Sequence, residues 1–321
     1  MAIESLRALM EAGENQDLCD IIIHSDCVDR GVTKEASFEK MRALYAAIRR
    51  ARAGYDPALR SASGMVGGDG AKMRAYVQSG KTICGDYIGQ VIAQALEMGE
   101  SNACMKCIVA APTAGSCGVL PAVLLPYQAR EGLDDNTMVR AMYVAGAIGQ
   151  VVAAKASIAG AAGGCQAEIG TASAMGAAAL CYLGGGDAQA VCHAAAIAIK
   201  SMLGLVCDPI AGLVEVPCVK RNAAGAMIAM SSADMALAGI RSAVPPDEVI
   251  LAMREVGDKM DVSLKETGIG GVAGTPFGQK IAENIADTGN GHRHQRCPGI
   301  PDAAKHTADQ IISNDHNGTG P

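Results

Sequence analysis

The chain has no tryptophan and only two phenylalanines in 321 residues, against 39 glycines. A core sized for this length must therefore be built from small side chains that let helices crowd together, as one large or two intimate domains. An excess of positive charge is also missing. The formal net charge is -6 and the lysines and arginines are dispersed, which leaves no electrostatic footprint for nucleic acid. The opening MAIESLRALMEAGENQDLCD is amphipathic and acidic, without the basic and apolar regions of a signal peptide. Twelve cysteines in a chain this long fall short of a small secreted disulfide framework, and the two observations together point to a reducing cytoplasm. The uncharged run from Cys107 to Ala129 is interrupted by Pro112, Pro121, Pro126 and a GSCG turn, which argues against a membrane span.

Convincing strands are lacking too, so the pattern predicts an all-α fold: helices around 3–12, 34–53, 84–98, 188–203 and 222–239, joined by Gly/Pro loops. LCDIIIHSD at 18–26 reads as a helical turn or a brief strand, and Thr137 is placed to cap a helix carrying Met138, Met142, Ala145 and Ile148. No internal repeat divides the chain. Composition separates a helical body over 1–285 from a polar, irregular tail over 286–321, which is expected to be mobile unless it docks.

The stretch everything else is arranged around runs from Gly163 to Asn222 and holds Cys165, Cys207 and Cys218 in a nearly uncharged region. On a continuous helix Cys207 and Cys218 would stand about 16 Å apart. Pro209 and Pro217 argue instead for an irregular loop that could bring both sulfurs together. Two readings stay open: buried thiols acting as small hydrophobes, or a metal or cluster site. Glu168, Asp208, Glu215, Lys220 and Arg221 beside the same cysteines weigh toward the second, because charge in an apolar setting is costly unless paired or used.

Other motifs are weaker. Cys104 and Cys107 have the spacing of a zinc half-site or a redox dithiol, but no second pair or nearby histidine completes a zinc set, and two thiols one helical turn apart is the simpler reading. SASGMVGGDGAKM at 61–73 lacks the Gly-Lys-Ser/Thr ending of a phosphate-binding loop. In APTAGSCG at 111–118, proline and glycine bracket Thr113, Ser116 and Cys117 in a turn that either receives an anion on its N–H groups or is a packing corner. His193 and Lys200 lie seven apart on one helix face.

Four pieces, SASGMVGGDGAKM at 61–73, ESNACMKCIVAAPTAGSCGVLPAVL at 100–124, GGCQAEIGTASAMGAA at 163–178 and CDPIAGLVEVPCVKRNA at 207–223, carry a resemblance. In order and over roughly residues 5–285, the chain resembles the alpha subunit or catalytic domain of bacterial iron-sulfur-dependent L-serine dehydratases, also called L-serine deaminases. The resemblance implies an all-α catalytic domain with Gly/Pro-rich loops around a central [4Fe-4S] cluster, held by Cys165, Cys207 and Cys218 with one iron left open. Glu168, Arg221 and Asn222 would surround it. It implies conversion of L-serine to pyruvate and ammonia without pyridoxal phosphate, although Lys72, Lys155 and Lys200 could each be imagined as an aldimine lysine. Thr113, Gly115 and Ser116 would bind substrate, Asp69 and Lys72 would line the catalytic region, and His193 is a candidate base, or else a core histidine. Related chemistry on L-cysteine with release of sulfide, and a non-catalytic cluster-carrying subunit, are the alternatives. A serine-rich, histidine-containing substrate loop found in full enzymes of this kind is absent here, which implies a separate beta subunit and an oligomer in the cytoplasm. Members can also cap the cluster with a cysteine near the C-terminus. Cys297 is the candidate here, although this chain departs from that pattern by ending in Gly320-Pro321.

Overall fold

The computed structural model describes residues 3–287, and within them the chain is all-α. The beginning of the chain supplies α1 (Leu6–Ala12), α2 (Leu18–Arg30) and α3 (Lys34–Ala53), followed by α4 (Asp69–Gln78) and α5 (Gly85–Ala103). The middle supplies α6 (Val119–Glu131), α7 (Asp135–Lys155), the single turn α8 (Gly160–Gly163) and α9 (Thr171–Leu183). Then come α10 (Ala188–Met202), α11 (Cys218–Leu237), α12 (Pro246–Lys259) and α13 (Pro276–Asp287). Extended pairing among the described residues is limited to an isolated parallel bridge between Cys207 and Lys265.

Local chemistry explains where these helices begin. Asp17, Thr33, Asp134 and Asp187 each sit in extended backbone before a helix and accept the N–H three residues on, satisfying a donor the helix itself cannot. The helix at 34–53 falls where its three- and four-residue periodicity puts it. At α7 the cap is Asp134, not Thr137, because the carboxylate accepts the Thr137 N–H at 2.8 Å. Residues 18–26 lie wholly within α2, so the helical alternative holds, over more than one turn, and the strand does not.

The core is made by α7, α9, α10 and the facing sides of α6 and α11, with Val144, Ile148, Ala177, Ala178, Ala195 and Ala198 all almost entirely buried. Alanine and glycine at the crossings let the helix axes approach: a Cβ on Gly225 of α11 would stand 2.8 Å from Ile169. Helix α7 is long and apolar enough to cross a membrane by length and composition alone, yet two-thirds of its apolar window is buried inside the fold. Pro121 and Pro126 were expected to break the uncharged run, but both lie inside α6. Burial of Leu120, Val123 and Leu124 around them outweighs the roughly 3 kcal/mol that a helical proline costs.

Candidate active site

The site begins where α9 does. Cys165 follows α8, and residues Gln166–Gly170 form a π-helical turn that runs into α9. Such widened turns are rare and often mark functional positions. This one is held from outside, since Gln166 donates to Met253 O at 2.9 Å and accepts from Gly204 N at 2.9 Å. It carries Glu168, whose carboxylate is buried between two other segments.

Cys207 comes from the irregular segment after α10. A two-sided backbone clasp fixes it: Cys207 N donates to Leu264 O at 2.8 Å, and Glu266 N donates to Cys207 O at 2.6 Å. The next residue, Asp208, accepts Val272 N at 2.8 Å and lies 2.8 Å from Arg221 Nη2 as a buried ion pair. Gly271, at φ 59°, is required there because a Cβ would fall 2.2 Å from the Asp208 carboxylate. Cys218 opens α11 and so stands on a helix, while 207–217 forms the loop that returns the chain to it. Glu215 in that loop accepts from Ser61 Oγ at 2.6 Å and also from Ser63, which fastens the 61–73 stretch alongside.

These placements bring the three thiols to one region. Cys165 and Cys207 share a small apolar cluster with Val119, Ile169, Ala172 and Met202. A hydrogen bond with Cys207, aided against burial by the Arg221 guanidinium, draws Cys165 below the ordinary thiol range. Its partner Cys207 is pushed the other way, by that same hydrogen bond and by burial. Burial chiefly raises Cys218, with the Cys165 and Glu168 charges adding to it. Cys207 Sγ lies 4.0 Å from Glu168 Oε2, and a Cβ on Gly160 would stand 2.8 Å from that sulfur and 2.9 Å from that oxygen.

The APTAGSCG turn closes the other side. Asn222 on α11 donates to Gly115 O at 2.8 Å and accepts from Gly118 N at 2.8 Å, holding the turn at both ends. Thr113 hydrogen-bonds the Glu168 side chain, and Thr113 and Ser116 hydroxyls lie 3.1 Å apart. The N–H groups of Ala114, Gly115 and Ser116 donate to no protein acceptor among the described residues. Burial pushes the Glu168 carboxyl up to about 7, opposed by the Thr113 hydrogen bond and reinforced by Glu266.

Other candidate residues fall at different distances from this centre. Asp69 opens α4 near the Cys218 end of α11, 3.5 Å from Lys220 Nζ, with its N–H on Glu100. Lys72 is exposed and paired to Asp69 at 2.8 Å. His193 lies elsewhere: its Nδ1 accepts from Ser242 N at 3.2 Å beyond the C-terminal end of α11, whereas the thiols gather at the N-terminal end. Along α10 it is about 13 Å, nine residues, from Met202, which does touch the thiol cluster. Cys104 and Cys107 follow the end of α5, with Met105 at φ 60°, and are not a helical turn apart on a helix. Lys155 pairs with Asp247 at 3.6 Å. Cys297 lies outside the described residues. Glu168 is the residue that sequence reasoning undervalued, although its place three after Cys165 in an uncharged run was the available signal.

Among the described residues no three His, Cys, Asp or Glu side chains gather as ligands for a single metal ion. A four-iron cubane is a larger body that takes thiolates at separate corners. Three buried thiols, a guanidinium on one of them and a backbone cradle at Gly160 suit a sulfur-ligated iron group in kind.

A buried group of thiols and a carboxylate inside an Ala/Gly-rich helical fold defines a class of site, and comparison identifies the class. The chain belongs to the serine dehydratase alpha chain family, whose model matches residues 5–273. It is 47% identical over 272 residues to a probable L-serine dehydratase, alpha chain, of Bacillus subtilis, covering 84% of this chain and 89% of that one. With the L-serine dehydratase, alpha chain, of Peptoniphilus asaccharolyticus it shares 49% identity over 226 residues, 70% of this chain and 77% of the relative. An Escherichia coli L-serine dehydratase is 45% identical over 183 residues, which are 56% of this chain and 40% of that longer one. An L-serine dehydratase type of reaction follows in general terms.

Proposed function

We propose that this chain is the catalytic component of an L-serine ammonia-lyase that carries a [4Fe-4S] cluster on Cys165, Cys207 and Cys218. The single observation that carries the reading is the meeting of these buried thiols with Glu168 beneath the 111–118 turn. When bound, the cluster supplies a Lewis-acidic iron that makes a hydroxyl a better leaving group.

The protein's own groups do the rest. The N–H groups of Ala114, Gly115 and Ser116, with the Thr113 and Ser116 hydroxyls, receive the substrate carboxylate. Asn222 keeps that turn in place through its two bonds. Glu168 takes the α-proton of L-serine at a carboxylate oxygen and passes it to the departing β-hydroxyl, which leaves as water. The resulting aminoacrylate becomes an imine, and water returns to hydrolyse it, so L-serine yields pyruvate and ammonia with no net gain or loss of electrons. Arg221 favours the thiolate form of Cys165, and its ion pair with Asp208 fixes the guanidinium. Asp69 and Lys72 flank the region through Lys220 and support it from the surface.

A separate beta subunit is part of this reading. The curated relatives named above as alpha chains support it, as does the longer Escherichia coli relative, of which this chain covers 40%. The return segment that clasps Cys207 adds further support, exposing Val262 at 70%, Ile269 at 66% and Phe277 at 62%. An oligomer in the cytoplasm completes the proposal, in keeping with buried free cysteines such as Cys117, Cys181 and Cys192.

The test is anaerobic reconstitution with iron and sulfide, with and without a beta partner, followed by metal quantitation, spectroscopy and pyruvate assay. A spectrum perturbed by L-serine, lost together with turnover in Cys165→Ser, Cys207→Ser and Cys218→Ser, is the expected result. An active, iron-free preparation would overturn it, and faster turnover of L-cysteine with sulfide release would reassign the substrate.

A further inference from the structure

A concave site lies between α3, α4, α5 and α6, apart from the thiol cluster. The cleft measures about 340 Å³, within the range of small-ligand sites, and Arg49, Arg52, Arg74, Gln90, Gln94 and Gln128 contribute its polar lining. It occupies the face of α5 that carries Gln90 and Gln94. Ala95 and Gly99, more than a third of a turn round that helix, instead pack toward Gly118 and Val219 beside the thiols.

The charges in the cleft do not cancel. Arg74 is matched by a two-bonded contact with Glu97 at 2.5 and 2.7 Å, and Arg49 by Asp135 at 2.6 Å. Arg52 has no carboxylate partner among the described residues. Its Nε donates to Gln94 Oε1 at 2.9 Å, and its two terminal nitrogens meet no acceptor among the described residues. That contact also settles the Gln94 amide, since a guanidinium can only donate and the oxygen must face it. The Gln94 nitrogen, on a side chain in a residue only 2% exposed, is then left without a partner. An unsatisfied buried donor costs about 1–3 kcal/mol, so its retention beside an uncompensated guanidinium asks for an acceptor that the protein does not supply.

We propose that this cleft binds a small anion bearing a carboxylate or phosphoryl group, its oxygens held by the Arg52 fork and turned toward the Gln94 amide nitrogen. Both free groups only donate, so the ligand must accept, and a planar or tetrahedral oxyanion matches the guanidinium fork.

Calorimetric titration and thermal unfolding of the full chain test this, with inorganic phosphate and acetate as probes and ionic strength held constant with chloride. Saturable binding of at least one probe is expected, with phosphate alone indicating a phosphoryl ligand and acetate a carboxylate. Arg52→Gln, an exposed change, should weaken binding at least tenfold. Gln94→Met should leave the melting temperature of the free protein equal or higher while abolishing the rise produced by the probe. Absence of saturable binding over chloride, or binding that survives both variants, overturns the proposal. So does a Gln94→Met variant that melts lower yet still binds, because the amide would then be a packing group.

Discussion

Glu168 shows how one side chain acquires a chemical role from its surroundings. It lies three positions after Cys165, and the π-helical turn directs its carboxylate into the space shared by Thr113, Gly115 and Cys207. Gly115 and Gly160 leave room for it, a Cβ on either coming within 3.6 Å of its oxygens. Replacing it with glutamine keeps size and hydrogen bonding while removing the ability to take a proton. Glu168→Gln is expected to lower pyruvate formation about 10²- to 10⁴-fold with iron and sulfide content unchanged. Parallel measurement of turnover and metal content checks this, and loss of iron in proportion to activity would assign Glu168 to holding the fold instead. His193, by contrast, has the residue type of a base, but its Nδ1 accepts the Ser242 N–H away from the thiols.

At the scale of elements, capping and ion pairing decide how the outer helices dock. Arg140 on α7 reaches Asp17 at 2.6 Å and Asp20 at 3.2 Å, and its Nε donates to Tyr182 at the end of α9, so one side chain ties α2 to the core. Hydrogen bonding from Arg140 holds the Asp20 carboxyl below its usual range despite partial burial, with Lys34 assisting. A carboxyl depressed in the folded state contributes stability above its unfolded pKa, about 3.9, and that contribution is lost as pH falls through the folded value. Arg140→Met is therefore expected to cost about 0.2–1 kcal/mol at neutral pH, limited by solvent screening, and to flatten the fall in melting temperature between about pH 5 and 3. Thermal melts of both proteins across that interval check the sign. A variant that loses stability on acidification as steeply as the parent would show that Asp20 is not the group responsible.

For the whole molecule, the large core of α7, α9 and α10 is a separate apolar cluster from the one containing Cys165 and Cys207. Chelating iron from reconstituted protein should leave helical ellipticity nearly unchanged, because that core owes nothing to the thiols. The segment 203–217 has little regular structure of its own and depends on clasps from Leu264, Glu266 and Val272, so it should become more sensitive to limited proteolysis. Circular dichroism with mapping of the first cleavage site checks both halves. Collapse of the helical signal on chelation would mean that metal binding and folding are one event.

Periodicity and punctuation are local, which is why α3 and the all-α class could be read from the residues, and why Gly163–Asn222 stood out as the centre. Caps, glycine turns and apolar spacing act within a few positions along the chain, and their physics is complete in the sequence. The site was legible only as a set of suspects, because Cys165, Cys207, Thr113 and Glu168 meet through contacts that no local rule contains. The tertiary structure decided that Gly271 seats Asp208, that Asn222 holds the 111–118 turn, that prolines remain inside α6, and that His193 stands apart. Burial and close approach between distant segments determine which polar groups can be satisfied, and that balance exists only once the chain has folded.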